Sequence, residues 1–140
     1  MGQLNWIVVM GVSLLLGGCA VGSMDDALSD QEQVAKRAQE RWGLLIEGRL
    51  ESAYEYLATG YRQVTPFPHY RKKVRGVGLW KSAQVEKVVC EADMCLADVN
   101  IRLEVHHPIM RAPVKTGNTV QERWIKDQDG FWGFLPTVKN

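Results

Sequence analysis

The stretch Cys95-Leu96-Ala97-Asp98-Val99-Asn100-Ile101-Arg102-Leu103-Glu104-Val105 decides the fold class. Its odd positions are apolar and its even positions mostly polar, a period of two. Successive side chains of a strand point to opposite faces, so this is a half-buried antiparallel strand with its odd residues inward. Just upstream, Val85 to Cys90 reads as a second strand, joined to the first through Glu91-Ala92-Asp93-Met94. Whether the hairpin loop holds two residues or four, symmetric pairing sets Cys90 opposite Cys95. The same register brings Lys87 opposite Asp98 on the polar face, where opposite charges favour each other.

Downstream, Pro108 and Pro113 bracket an irregular connection. Val120 to Lys126 reads as a third strand. Asp129-Gly130 is a hairpin turn leading into a fourth, Phe131 to Leu135. Upstream of Val85 the period changes to 3.6. Ser29 and Glu32 form a capping box, and Val34, Ala38, Trp42 and Leu45 then make one helical stripe. Gly48 interrupts it, and Leu50, Ala53, Tyr54 and Leu57 continue it as a second helix with Gly60 as its stop. Thr65-Pro66 opens a short third helix whose Phe67, Tyr70 and Val74 share a face. Gly76-Val77-Gly78 is a loop. Helices first and strands afterwards imply an α+β domain, with N-terminal helices packed on one face of a curved four-stranded antiparallel sheet.

This order resembles the nuclear transport factor 2-like superfamily. The residues that carry the likeness are the Trp42 helix running into Gly48-Arg49-Leu50-Glu51-Ser52-Ala53-Tyr54 and the closing Trp124-Ile125-Lys126-Asp127-Gln128-Asp129-Gly130-Phe131-Trp132. It covers roughly residues 29 to 136. The resemblance implies a cone whose helices close over a bent sheet and leave a pocket at the wide end, and it implies that homodimers are common.

The opposite end of the chain carries an address. An uncharged apolar stretch from residue 4 ends in Leu14-Leu15-Leu16-Gly17-Gly18-Cys19, which resembles a bacterial lipoprotein signal peptide with its lipobox. The run suits a signal and is short for a helix crossing about 30 Å of hydrocarbon. The n-region departs from the pattern, since Met1-Gly2-Gln3-Leu4-Asn5 has no Lys or Arg. By the resemblance, residues 1–18 are removed, the Cys19 thiol is diacylated with palmitate-like chains, and residues 19–28 are a tether to a domain at 29–140. Ala20 stands where Asp would retain a lipoprotein in the inner membrane, which points to the outer membrane with the domain facing the periplasm. With Cys19 given to lipid, Cys90 and Cys95 are left as a disulfide for an oxidising compartment. Directly opposed residues lie about 4.5 to 5.5 Å apart, within reach of such a bond.

Composition and motifs narrow the function. The residues after 18 suffice for one core, not two. A net charge of +1 supplies no field to steer the chain to nucleic acid. The sequence has no Gly-x-Ser-x-Gly elbow, phosphate loop or His-Glu-x-x-His helix, and no cofactor is expected. His106 and His107 are adjacent, so on a strand they face opposite ways and share no metal.

The family resemblance includes isomerases and cyclases that use a pocket carboxylate. The candidates here are Glu122, on one strand face with Val120 and Trp124, and Glu86, on one face with Val88 and Val99. The alternative for either is a Glu at the sheet rim, or one paired with Arg102 or Arg123. Tyr54 and Tyr61 are possible hydrogen-bond donors, and Trp80 and Trp124 stand among the aromatic residues expected to fill the core or line a pocket. Between Leu57 and Val85 lie six basic residues and no acid, with Arg71, Lys72 and Arg75 turned outward. Such a face is either plainly solvated or meets anionic headgroups or an acidic partner. The expectation is an envelope lipoprotein acting as a non-enzymatic accessory or binding module for a partner protein or a small apolar ligand. The alternatives are a cone-pocket isomerase, cyclase or dehydratase, and a lipid or envelope carrier.

Overall fold

A computed structural model describes residues 28–137. The signal segment, Cys19 and the tether as far as residue 27 lie outside the described residues, as do residues 138–140. Four helices, α1 (Asp30–Ile46), α2 (Leu50–Tyr54), α3 (Thr59–Val64) and α4 (Phe67–Lys73), precede four strands among those described. The strands β1 (Trp80–Glu91), β2 (Met94–Val105), β3 (Val114–Lys126) and β4 (Trp132–Leu135) form an antiparallel meander in chain order. The domain is α+β, with helices against one face of an open sheet.

Helix α1 begins where the capping box requires. The Ser29 hydroxyl accepts from the Glu32 amide at 3.3 Å, and the Glu32 carboxylate accepts from the Ser29 amide at 2.8 Å. It ends at Gly48, whose φ of 75° lies in the left-handed region that glycine enters freely. There the Gly48 amide donates to Leu45 O at 3.1 Å and the Arg49 amide to Leu44 O at 2.8 Å, a Schellman closure. Between the caps, Val34, Ala38, Trp42 and Leu45 are buried. They meet Cys95, Ala97, Val99 and Ile101, the inward residues of β2. Each fully buried large apolar side chain of such a seam is worth about 1.5–3 kcal/mol. Gln39 of α1 also ties down the free edge of β1, where its amide donates to Ala83 O at 2.9 Å and accepts from the Val85 amide at 3.1 Å.

Hairpin β1–β2 turns through two residues, Ala92 and Asp93, with Glu91 opposite Met94, Cys90 opposite Cys95 and Lys87 opposite Asp98. Cys90 and Cys95 are joined by a disulfide, their Cα atoms 4.0 Å apart. So small a loop stabilises by about 2 kcal/mol through chain entropy. Between Val85 and Lys87 the register slips by a bulge, so Val85 and not Glu86 stands opposite Val99.

Several boundaries differ from those expected, among them the end of α2 at Tyr54, which leaves Leu57 outside it, bridged to Phe134. Gly60 does not stop a helix but lies inside α3, a short helix with no buried side chain and so no apolar stripe to announce it. Strand β1 starts at Trp80 and β3 at Val114, each several residues earlier than the alternation suggested. The early part of β3 pairs with the far end of β2, where Arg102 and Val105 are exposed, so neither face selects apolar residues.

The last strand is held from both sides. The Ala58 amide donates to Phe134 O at 2.8 Å and the Phe134 amide to Tyr56 O at 2.8 Å, so the chain after α2 lies against the outer edge of β4. A Cβ on Gly133 would collide with the Ala58 backbone, which is why that position has no side chain. From α1, Arg37 donates to Trp132 O at 2.7 Å and its guanidinium lies 4.1 Å from the Phe131 ring centre.

Candidate functional site

The sheet's core face carries one buried carboxylate among the described residues, Glu122, which is 4% exposed on β3. Neighbouring β3 positions Val120 and Trp124 share its face, as the alternation required. Its Oε1 accepts from Arg41 Nη1 at 2.8 Å and from Trp42 Nε1 at 2.8 Å, and its Oε2 accepts from Trp124 Nε1 at 3.1 Å. Three donors from α1 and β3 therefore fix the carboxylate in place. Its ionic partner is Arg41, buried in the apolar stripe of α1, and not Arg102 or Arg123, which are exposed. The Arg41 guanidinium also stacks on the Phe134 ring, 4.0 Å from its centre.

A cleft of about 380 Å³ opens above this network, within the range of about 300–1,000 Å³ typical of small-molecule sites. Trp42, Leu45, Val120 and Phe134 supply its apolar depth, with Glu122 and Arg41 beside them. Trp80 stands edge-on to Trp42 at 5.3 Å between ring centres and forms one wall. Helix α4 and the residues after it supply the other, through Tyr70, Lys73, Val74 and Arg75, with Tyr61 from α3. A larger hollow of about 590 Å³ lies among Lys81, Asn100, Arg102 and Lys115 at the far end of the sheet. No buried polar side chain converges on it, so it has the character of a solvated trough.

Of the residues singled out in the sequence, Glu122, Tyr61 and Trp80 come together in the cleft. Tyr54 and Trp124 do not line it. The Tyr54 hydroxyl donates to Arg62 O at 3.2 Å and Thr65 O at 3.0 Å, closing α3 onto α2. Trp124 is fully buried beneath Glu122. Glu86 sits on the β1 bulge and is exposed, in a shallow hollow beside Gln31, Glu32 and Ala35 of α1. The adjacent His106 and His107 are exposed beyond β2. Among the described residues no group of three or more His, Cys, Asp or Glu side chains is arranged to hold a metal ion. No described helix is long and apolar enough to cross a membrane.

Two lining residues were not evident from motifs. Arg41 falls three residues after Ala38 on the apolar stripe, and a charge at such a position signals a buried partner across the core. Tyr70 shares its helix face with Phe67 and Val74, and it is buried with its ring 5.4 Å from that of Tyr54. Three buried side-chain polar atoms lack a hydrogen-bond partner among the described residues, the Nε atoms of Arg41 and Arg62 and the Tyr70 hydroxyl. Two of the three belong to the cleft. No protein-family model matches this chain, and no curated protein matches it.

Proposed function

We propose that this chain is a lipid-anchored protein of the bacterial outer membrane whose periplasmic domain, of nuclear transport factor 2-like build, is a non-enzymatic module that binds a small apolar ligand. The observation that carries the binding reading is the cleft itself, an aromatic and aliphatic hollow whose single carboxylate already accepts three hydrogen bonds. A general base must reach its substrate's proton with a free lone pair in line. Three of the acceptor sites of Glu122 are taken by the donors that position it, and exposed Glu86 lines only a shallow hollow of about 220 Å³ with Gln31, Glu32 and Lys87. Helices on one face of a meander that closes with an Asp-Gly turn and an aromatic strand support the family reading. The lipobox-like Leu14-to-Cys19 stretch supports the anchor.

Two experiments test the two halves. Titration of the soluble domain with the neutral apolar fluorophore phenylnaphthylamine is expected to saturate, and Val120→Trp, which fills the cleft, is expected to abolish it. Equal binding by both proteins would refute the cleft as the site. In cells, a fatty-acid analogue is expected to label the protein and to be lost with Cys19→Ser. Labelling that survives this change would refute the anchor.

A further inference from the structure

The cleft is apolar in depth and cationic at one end. Its lining carries Arg41, Lys73 and Arg75 against the single carboxylate of Glu122. Arg41 and Glu122 neutralise each other. Lys73 and Arg75 are exposed at the rim, and neither is ion-paired with a carboxylate among the described residues. Tyr70 precedes Lys73 by three residues on α4, so the two share a helix face. Its hydroxyl is buried, 4% of the residue being exposed, and has no hydrogen-bond partner among the described residues. Arg41 Nε is in the same condition on the facing helix. A buried donor without an acceptor is costly, and native structures keep few of them. Here two accompany two cations that no described carboxylate neutralises, Lys73 lying 6.0 Å from the Tyr61 ring centre, around one apolar hollow.

We infer that the ligand is a single-chain amphiphile with a carboxylate head, a fatty acid, whose chain enters the apolar depth and whose head is held by Lys73, Arg75 and the Tyr70 hydroxyl. This rests on the cleft being a binding site and specifies what it selects. A carboxylate offers acceptors to both the ammonium and the phenol, and a charge-assisted hydrogen bond is the strong kind. A flat headgroup layer cannot reach a hydroxyl as buried as that of Tyr70, whereas one inserted molecule can. The cleft volume suits one short chain rather than the paired chains of a phospholipid.

The test compares dodecanoate with dodecanol, which differ only at the head, by displacement of phenylnaphthylamine from the soluble domain below their micellar concentrations. Dodecanoate is expected to bind at least about tenfold more tightly, with the difference shrinking as salt rises. Tyr70→Phe removes a hydroxyl that no described residue engages and is expected to leave the fold intact. It is expected to weaken dodecanoate about tenfold and leave dodecanol unchanged. The double change Lys73→Gln with Arg75→Gln is expected to do the same. Equal affinity for acid and alcohol would overturn the inference while the apolar cleft stands. Failure of both to displace the fluorophore, together with failure of the fluorophore itself to bind, would overturn both readings. Binding to phosphatidylglycerol vesicles with no binding of dodecanoate would overturn the fatty-acid assignment in favour of a membrane surface.

Discussion

Glu122 shows how a single side chain fixes the relation of helix to sheet. Its carboxylate joins consecutive α1 residues, Arg41 and Trp42, to β3. Replacing a buried ion pair with apolar residues is often neutral, but removing one partner strands the other charge and costs about 3–5 kcal/mol. Glu122→Gln is therefore expected to lower unfolding stability by about 3 kcal/mol, measured by urea denaturation, whereas Glu86→Gln changes it by less than about 0.5 kcal/mol. A smaller effect sits in the β1–β2 turn, where Ala92 has φ of 49°, a left-handed conformation that costs a non-glycine residue roughly 1–2 kcal/mol. Ala92→Gly is expected to stabilise by up to about 1 kcal/mol in the same assay.

Acidic residues at the other end of α1 set the response to pH. Hydrogen bonds from Lys126 and then Trp132 hold the Asp30 carboxyl below its ordinary 3.8, and Ser29 holds Glu32 below 4.5. For Asp127, burial pushes upward, but the Thr59 hydroxyl and the Phe131 and Asp129 amides outweigh it and leave the carboxyl lowered. Carboxyls lowered on folding add stability that is complete above their unfolded values and is lost as pH falls through the folded ones. The melting temperature is expected to hold from neutrality to about pH 4.5 and to fall below about pH 4, less steeply in Asp30→Asn.

Elements were legible where one face is buried and the other wet. The alternation of β2 is written residue by residue, and the α1 stripe and its capping box fall where they were read. The β1 bulge was not legible, because one extra residue leaves the local pattern of Val85-Glu86-Lys87 unchanged while shifting every residue beyond it. The start of β3 was hidden for the opposite reason: its hydrogen bonds run to β2, but both its faces are wet. Arg41 was passed over because its partner lies 81 positions away, on β3. The close approach at Gly133 is also invisible locally. Gly133→Ala is expected to destabilise by more than 2 kcal/mol, since the Cβ meets backbone and not a side chain that yields. Equilibrium unfolding of that variant checks it, and near-native stability would mean that β4 does not lie against Ala58.

For the molecule as a whole, the hairpin disulfide, the α1 seam and the β4 edge contacts surround one core with a hollow left at its α4 side. Reduction of Cys90–Cys95 is expected to cost about 2 kcal/mol and leave the fold intact, because the loop it closes is small. The domain class could be read from periods of 3.6 and 2 alone. The cleft could not, since Arg41, Tyr70 and Trp80 reach it from three separate elements. Its existence as a binding site is the claim on which the functional account depends. The most direct measurement follows the indole N–H signals of the domain by two-dimensional NMR during titration with phenylnaphthylamine. The signals of Trp42 and Trp80, which line the cleft, are predicted to move and saturate together, while that of Trp132, bonded to Asp30 outside it, stays in place. Unmoved Trp42 and Trp80 signals at every ligand concentration, or a shift confined to Trp132, would contradict the account.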